Sequence, residues 1–356
     1  PMPDNLKQLR ERIDALDLEI LRLVSERASA AHAIGKLKSD GPVYRPEREA
    51  QVLRRLAVHN PGPLPEKAVT HLFTEIISAC RALEDAFSVA SLGPKGTFSE
   101  EAAAKHFGGQ APLTLCTSID EVFRSVESGN IGYGVVPVEN STEGAVGRTL
   151  DLLLSTPLKI CGEVLLPVHQ NLLSKGTDIA AVKRIFSHAQ SLAQCNRWLA
   201  QNCPHAQRIP VASNAEAAKM AQLDAESAAI AGRSAADHYS LPVLAGNIED
   251  EPNNTTRFVV ISRQDVAPSG NDKTSLVMST RNVPGAIHEL LTPLAKNGVS
   301  MTRLESRPSR TGLWEYVFFL DMEGHQSDEN VARALKAMRE LAAFLKILGS
   351  YPVAAQ

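Results

Sequence analysis

Near the start of the chain, Leu6, Leu9, Ile13, Leu16, Ile20 and Leu23 recur at alternating steps of three and four, with Val24 beside the last. That spacing marks one face of an α-helix, and Ala33 and Ile34 carry it on towards Lys38. A stripe this narrow on a helix this long needs a partner to cover it, so the segment is expected to build an intertwined dimer. Gly41-Pro42 ends the helix. Pro46, at a favoured first-turn position, opens a second helix that runs through Val52 and Leu56 and stops at Pro61-Gly62-Pro63. A third carries Val69, Leu72, Phe73, Ile76, Ile77, Cys80 and Leu83 on its buried side. Residues 1–87 thus read as an all-α module of three helices.

The period changes at Ser88. Short apolar strands at 89–92, 132–138, 159–165, 208–211, 228–230 and 257–261 alternate with helical stretches, two of them capped by Ser118 and by Ser213-Asn214. Such alternation predicts an α/β module over 88–266 with parallel strands, two lobes and a ligand cleft at the strand ends. The polar run Gln264 to Gly270 and the linker Asn271-Asp272 follow. Residues 272–356 then read strand, helix, two strands, helix, strand, an α+β ferredoxin-like βαββαβ order.

A chain of 356 residues exceeds what one core organises, in keeping with three modules. A net charge of −3 argues against a nucleic-acid partner. The five cysteines show no CxxC or Cys/His metal spacing and read as reduced thiols. The charged, helix-like start shows no secretory signal, and no apolar run reaches the ~18 residues of a membrane span. A cytoplasmic protein without a metal or organic cofactor is expected.

The chemistry-bearing residues are distributed by module. Arg27 and Lys38 stand three helical turns apart, within about 20° of alignment and about 16 Å of rise, and so can hold two ends of a small dianion. Arg48 and Glu49 open the second helix, and Cys80 and Glu84 sit at i, i+4 on the third. Arg10 lies about 100° off the Arg27 face and is expected to serve a neighbour's pocket. In the α/β module, polar loops adjoin apolar strands: Gly93 to Ser99, Glu139-Asn140-Ser141-Thr142, Ser187-His188-Ala189-Gln190, and Asn254-Thr255-Thr256-Arg257-Phe258. The last module carries Asn282-Val283-Pro284-Gly285-Ala286-Ile287 and Glu305-Ser306-Arg307-Pro308.

In this order the motifs resemble the bifunctional chorismate mutase/prephenate dehydratases of phenylalanine biosynthesis, and the resemblance spans essentially the whole chain. It implies that Arg10 of a second subunit and Arg27 clamp the carboxylates of chorismate. Lys38 meets the ether oxygen, Glu49 accepts from the substrate hydroxyl, Arg48 orients its neighbours, and Arg45 makes a backbone contact. Cys80 and Glu84 depart from the best-known pattern of serine and glutamine. A glutamate beside an ether oxygen donates a hydrogen bond only when protonated, so mutase activity is expected to fall as Glu84 ionises.

The resemblance further implies that Thr256 hydrogen-bonds the leaving hydroxyl of prephenate. Glu139, Asn140, Ser141, His188, Gln190 and Arg257 are the candidate neighbours; His188 is a candidate proton source, and Arg257 holds either the fold or a carboxylate. The third module resembles ACT domains. Asn282, Pro284, Gly285, Ala286 and Ile287, with Glu305 and Ser306 across an interface, are expected to bind phenylalanine as feedback inhibitor, in a homodimer or dimer of dimers. Two other readings stay open: a dehydratase that prefers arogenate, and an amino-acid sensor with inert catalytic lobes.

Overall fold

The computed structural model describes residues 4–37, 41–84, 87–309 and 315–355; Lys38 lies outside the described residues. Three helices open the chain: α1 (Asp4–Leu37), α2 (Pro46–Val58) and α3 (Glu66–Arg81). The 34 residues of α1 make a rod about 50 Å long. Every side chain from 5 to 23 on it is exposed. Ile13, Leu16 and Ile20 of the apolar stripe are each more than half exposed, and so are Leu18 and Leu21 on other faces. Only the C-terminal part of α1 packs on α3, where Arg27 donates to Cys80 Sγ at 3.0 Å.

The buried face of α3 keeps most of the apolar stripe, with Ile77 and Cys80 buried and Val69, Phe73 and Ile76 half-buried, but it is wider than the stripe predicts. Leu72 and Leu83 are exposed, while Ser78 and Arg81 are buried. The reason is a neighbour the stripe does not encode: α3 packs against the C-terminal end of α4 (Phe98–Phe107) in the next module. There Glu75 accepts from the Gly109 N–H. A Cβ at Gly108, whose φ is +79°, would lie 2.4 Å from the Ser78 Cβ.

The first α/β lobe holds β1 (Val89–Leu92), α4, β2 (Leu113–Cys116), α5 (Ile119–Glu127), β3 (Tyr133–Asn140), β4 (Gly144–Ala145), α6 (Gly147–Ser155) and β5 (Lys159–Pro167). Ser118 caps α5 by accepting from the Glu121 N–H at 3.1 Å. The second lobe comprises β6 (Asn171–Leu173), β7 (Arg184–Ser187), α7 (Ala189–Gln194), α8 (Asn196–Asn202), β8 (Gln207–Pro210), α9 (Asn214–Ala221), β9 (Ser227–Ala231), α10 (Arg233–His238) and β10 (Val243–Ala245). Then β11 (Thr255–Ser262) returns to the first lobe, giving sheet orders β2-β1-β3-β11-β5 and β10-β6-β9-β7-β8.

The sheets are mixed rather than parallel. β11 runs antiparallel to both β3 and β5, and β6 antiparallel to β9 and β10. A strand arriving back from the far lobe enters the sheet from the opposite end.

The last module follows the expected order: β12 (Asp272–Ser279), α11 (Ala286–Lys296), β13 (Met301–Pro308), β14 (Tyr316–Glu323), α12 (Glu329–Leu341) and β15 (Phe344–Pro352), in sheet order β13-β14-β12-β15. One sheet face packs on α11 and α12 through Leu276, Leu290, Leu335 and Met338. The other places Val277, Phe319, Leu348 and Tyr351 in a core shared with Leu150, Leu153, Val259 and Ile261 of the first lobe. Contact is close enough that a Cβ at Gly349 would lie 2.1 Å from the Ile160 carbonyl. The expected linker at Asn271-Asp272 is no free tether. Ser269 and Asp272 are buried and bonded to each other at 2.6 Å, and Arg54 of α2 donates to the Ser269 carbonyl.

Candidate active and effector sites

Between the helices of the first module lies a hollow of about 280 Å³, lined by Arg27, Ala30, Ala31, Ile34, Arg48, Glu49, Val52, Ile77 and Glu84. Cys80 is buried beside it, holding Arg27. Glu84 packs on Gly35 of α1, where an added Cβ would meet its Cγ at 3.3 Å. Glu49 enters from the first turn of α2, and burial pushes its carboxyl up to about 7 against the pull of Arg81 and Arg27. The structure thus brings together Arg27, Arg48, Glu49, Cys80 and Glu84. Arg10, far along α1, and Arg45, 43% exposed beside Glu47, do not line the hollow. The sequence reading missed Arg81, only 4% exposed, whose Nη1 donates to Glu49 Oε1 at 2.8 Å.

The second cluster is built on a register. β3 and β11 pair Asn140 with Thr256 and Glu139 with Arg257. Successive residues of a strand point to opposite faces, so the two pairs diverge. On one side Asn140 Nδ2 donates to Thr256 Oγ1 at 2.9 Å and to the Asn254 side-chain oxygen at 2.8 Å. Asn140 Oδ1 accepts from the N–H and hydroxyl of Thr142 and from the Glu143 N–H, which fixes its amide orientation. The Thr256 hydroxyl, taken as acceptor, keeps its own proton to give. Ser141 holds the strand end in place, its hydroxyl accepting from the Thr255 N–H at 2.9 Å.

On the other side Arg257 is 8% exposed and engaged. It donates to Glu163 at 2.8 Å, to Asp321 at 2.5 Å and to the Tyr351 hydroxyl at 2.8 Å. Of the two roles considered for Arg257, the geometry supports holding the fold, since no guanidinium face is left for a substrate carboxylate. Lys273 also pairs with Glu163, at 2.9 Å. Glu139 Oε2 lies 3.2 Å from Arg303 Nε, within ion-pair distance but out of line for a hydrogen bond. Asp321, Tyr351, Lys273 and Arg303 all come from the C-terminal sheet. Their part in this cluster carries no local sequence signature.

His188 and Gln190 stand at the start of α7 across the cleft. Both are exposed, and His188 Nδ1 accepts from the Gln190 N–H at 3.3 Å as a helix cap. No bond joins them to Thr256. The lobes meet nearby, where Gln194 of α7 donates to Glu143 at 2.8 Å.

In the C-terminal module Gly285 has φ +80° and precedes α11, a conformation that suits glycine. Asn282, Pro284 and Gly285 are exposed on the loop that opens that helix, with Ala286 and Ile287 half-buried in its first turn. Glu305 and Ser306 lie on β13, one of the two edge strands of the sheet. As neighbours on a strand they point to opposite faces. Glu305 shares its face with Arg303 and with Arg307, which donates to Asp151 of α6 at 3.0 Å.

Comparison with known proteins agrees module by module. The chorismate mutase type II family matches residues 9–85, the prephenate dehydratase family residues 89–266 and the ACT domain residues 274–340. The bifunctional chorismate mutase/prephenate dehydratase of Neisseria gonorrhoeae is 54% identical over 97% of this chain and 96% of its own length. That of Pseudomonas aeruginosa is 51% identical over 99% of this chain and 98% of its own. A prephenate dehydratase from Arthrobacter aurescens, solved in complex with L-Phe, superposes with a TM-score of 0.69 at 35% identity, covering 75% of this chain and 90% of that one. The chain belongs to the bifunctional chorismate mutase/prephenate dehydratase family, joining both enzymes of phenylalanine biosynthesis to an ACT regulatory domain.

Proposed function

We propose that the two reactions occupy two separate sites within modules bounded at 1–87, 88–266 and 272–356. The helical hollow takes chorismate. Its rearrangement needs no nucleophile, so the protein contributes positioning and aimed charge, the former worth up to about 7–11 kcal/mol. Arg27 and Lys38 hold the dianion with Arg10 of a partner, Arg48 orients, and Glu49 accepts from the ring hydroxyl. Cys80, Glu84 and the backbone of Arg45 complete the wall. Glu84 assists the ether oxygen only when protonated; if Glu84→Gln left the pH–rate profile unchanged, that role would be wrong.

Prephenate then goes to the cleft of the α/β module. The observation that carries this reading is the Asn140–Thr256 bond, which leaves the Thr256 proton free for the departing hydroxyl. Ser141, His188 and Gln190 frame the cleft, while Glu139 lies on the opposite face of β3, toward Arg257 and Arg303. The exposed apolar faces of α1 support a homodimer in which each long helix covers the other. The ACT module binds phenylalanine through residues 282–287 of one subunit and 305–306 of another, and the effector acts by favouring one subunit arrangement. The site is cytoplasmic.

One assay tests the whole scheme: purified protein is given chorismate, and phenylpyruvate is followed with and without phenylalanine, arogenate serving as a second substrate. Thr256→Ala should accumulate prephenate, with dehydration slowed about 10²–10³-fold, as when a donor to developing negative charge is removed. Lys38→Ala should stop the mutase and spare the dehydratase. Equal loss of both activities in both variants would end the two-site reading.

A further inference from the structure

We propose that Arg81 is a positioning residue of the mutase, anchored on the dehydratase lobe, which fixes the Glu49 carboxylate in the orientation that receives the substrate hydroxyl. Arg81 ends α3 and is 4% exposed. Its two terminal nitrogens are divided between modules. Nη1 donates to Glu49 Oε1 at 2.8 Å, and Nη2 donates to the Phe107 carbonyl at 2.7 Å.

That carbonyl lies in the last turn of α4, where the helix dipole favours a cation. The guanidinium carbon sits 5.3 Å from the ring centre of Tyr44, 4.6 Å from that of Phe87 and 5.6 Å from that of Phe107. Tyr44 is itself tied to His106 of α4 at 2.5 Å. Three rings and a helix end hold the cation in one place. Its Nη1 is the nitrogen turned toward Glu49 and the hollow.

The arrangement has a chemical consequence. Glu49 is faced by Arg81 at the end of α3, Glu84 in the turn after it, Arg27 from α1, Arg48 beside it on α2, Tyr44 before α2 and Tyr133 from β3. Burial and Glu84 favour the protonated acid; Arg81 and Arg27 favour the carboxylate. Arg27 is also claimed by Cys80 and by the substrate, so Arg81 is the cation dedicated to keeping Glu49 an acceptor. Mutase kcat/KM should therefore fall as pH drops through about 7, where Glu49 takes up its proton.

The test uses the full chain with Arg81→Met, Arg81→Lys and Glu49→Gln, reading mutase kcat/KM from pH 5 to 9 and dehydration of prephenate in the same preparations. Arg81→Met should lower mutase kcat/KM at pH 7 by about 10–100-fold, the range for a lost hydrogen bond to a charged group. It should also move the acid limb upward by about one pH unit, with dehydration changed by less than about twofold. Arg81→Lys should restore part of the rate and return the limb towards its wild-type position. In a Glu49→Gln background the added Arg81→Met should cost little, because the group it positions is gone. An unmoved acid limb would overturn the proposal. So would an equal loss with and without Glu49, or parallel loss of both activities in the lysine variant.

Discussion

The mutase hollow and the β3–β11 strand pair hold their chemistry in opposite ways. The hollow is assembled from side chains on three helices, and within one chain α1 leaves its apolar stripe in solvent. The strand pair is complete: backbone register sets Asn140 against Thr256 and Glu139 against Arg257, and a buried ionic network closes one side. Helices place side chains by packing, so a helical site is only as complete as its packing partners. A ladder places them by hydrogen bonds that one chain supplies alone. The dehydratase is expected to work as a unit of the single chain, and the mutase only in the assembled protein.

The sharpest way to break this contrast is to spoil the seam. Ile20→Glu should reduce mutase kcat/KM by roughly 10² or more, since it removes the partner's charged contacts, while dehydration stays within about twofold. Sedimentation of the variant should report monomer. Equal activity in both assays would mean that the hollow is complete within one chain.

The next test concerns the closed network. Asp321→Asn strips one anion from the buried Arg257 and should lower unfolding free energy by about 3–5 kcal/mol, the cost of breaking a buried pair, as read in urea. A loss below about 1 kcal/mol would show that water reaches the network.

Smaller still is the expected effect of Arg303→Met. Arg303 joins β13, which carries the proposed effector residues Glu305 and Ser306, to Glu139, one residue from the Thr256 partner Asn140. Its loss should weaken phenylalanine inhibition by about 5–150-fold, the usual span of an allosteric coupling, with uninhibited dehydration little changed. Unaltered inhibition would move the link to Arg307 and Asp151.

A fourth effect lies in the seam between modules. Burial, with Arg81 nearby, pushes the His106 imidazole down to about 3. A histidine kept neutral when folded binds fewer protons than when unfolded. Stability should therefore rise with pH across about 3 to 6.5 and be lost progressively below 6.5. His106→Asn should flatten that slope in thermal melts; an identical slope would place the acid sensitivity elsewhere.

Much of this architecture was legible in residue order. The three-and-four spacing of α1, the prolines at 46, 61 and 63, the cap at Ser118 and the βαββαβ order all reappear, because each is a local preference that tertiary packing had no cause to override. The cations of the hollow and the Thr256 loop were legible as motifs. The antiparallel entry of β11, the burial of Ser78 and Arg81 on α3 and the burial of the 269–272 turn were not. Each depends on which distant segment arrives alongside, and no local period records that. Arg81 illustrates the gap: read on its helix it is one more terminal cation, whereas α4 makes it a buried anchor.

Residue order alone determined which segments become helices and strands and which loops carry polar groups, since these follow from backbone propensity and spacing within a few turns. Tertiary structure decided which of those groups meet. Glu49 gained Arg81 across modules, and Arg257 turned from the cleft to the regulatory sheet. Close contact between segments far apart in sequence follows from how faces pack together, and packing is a property of the whole chain.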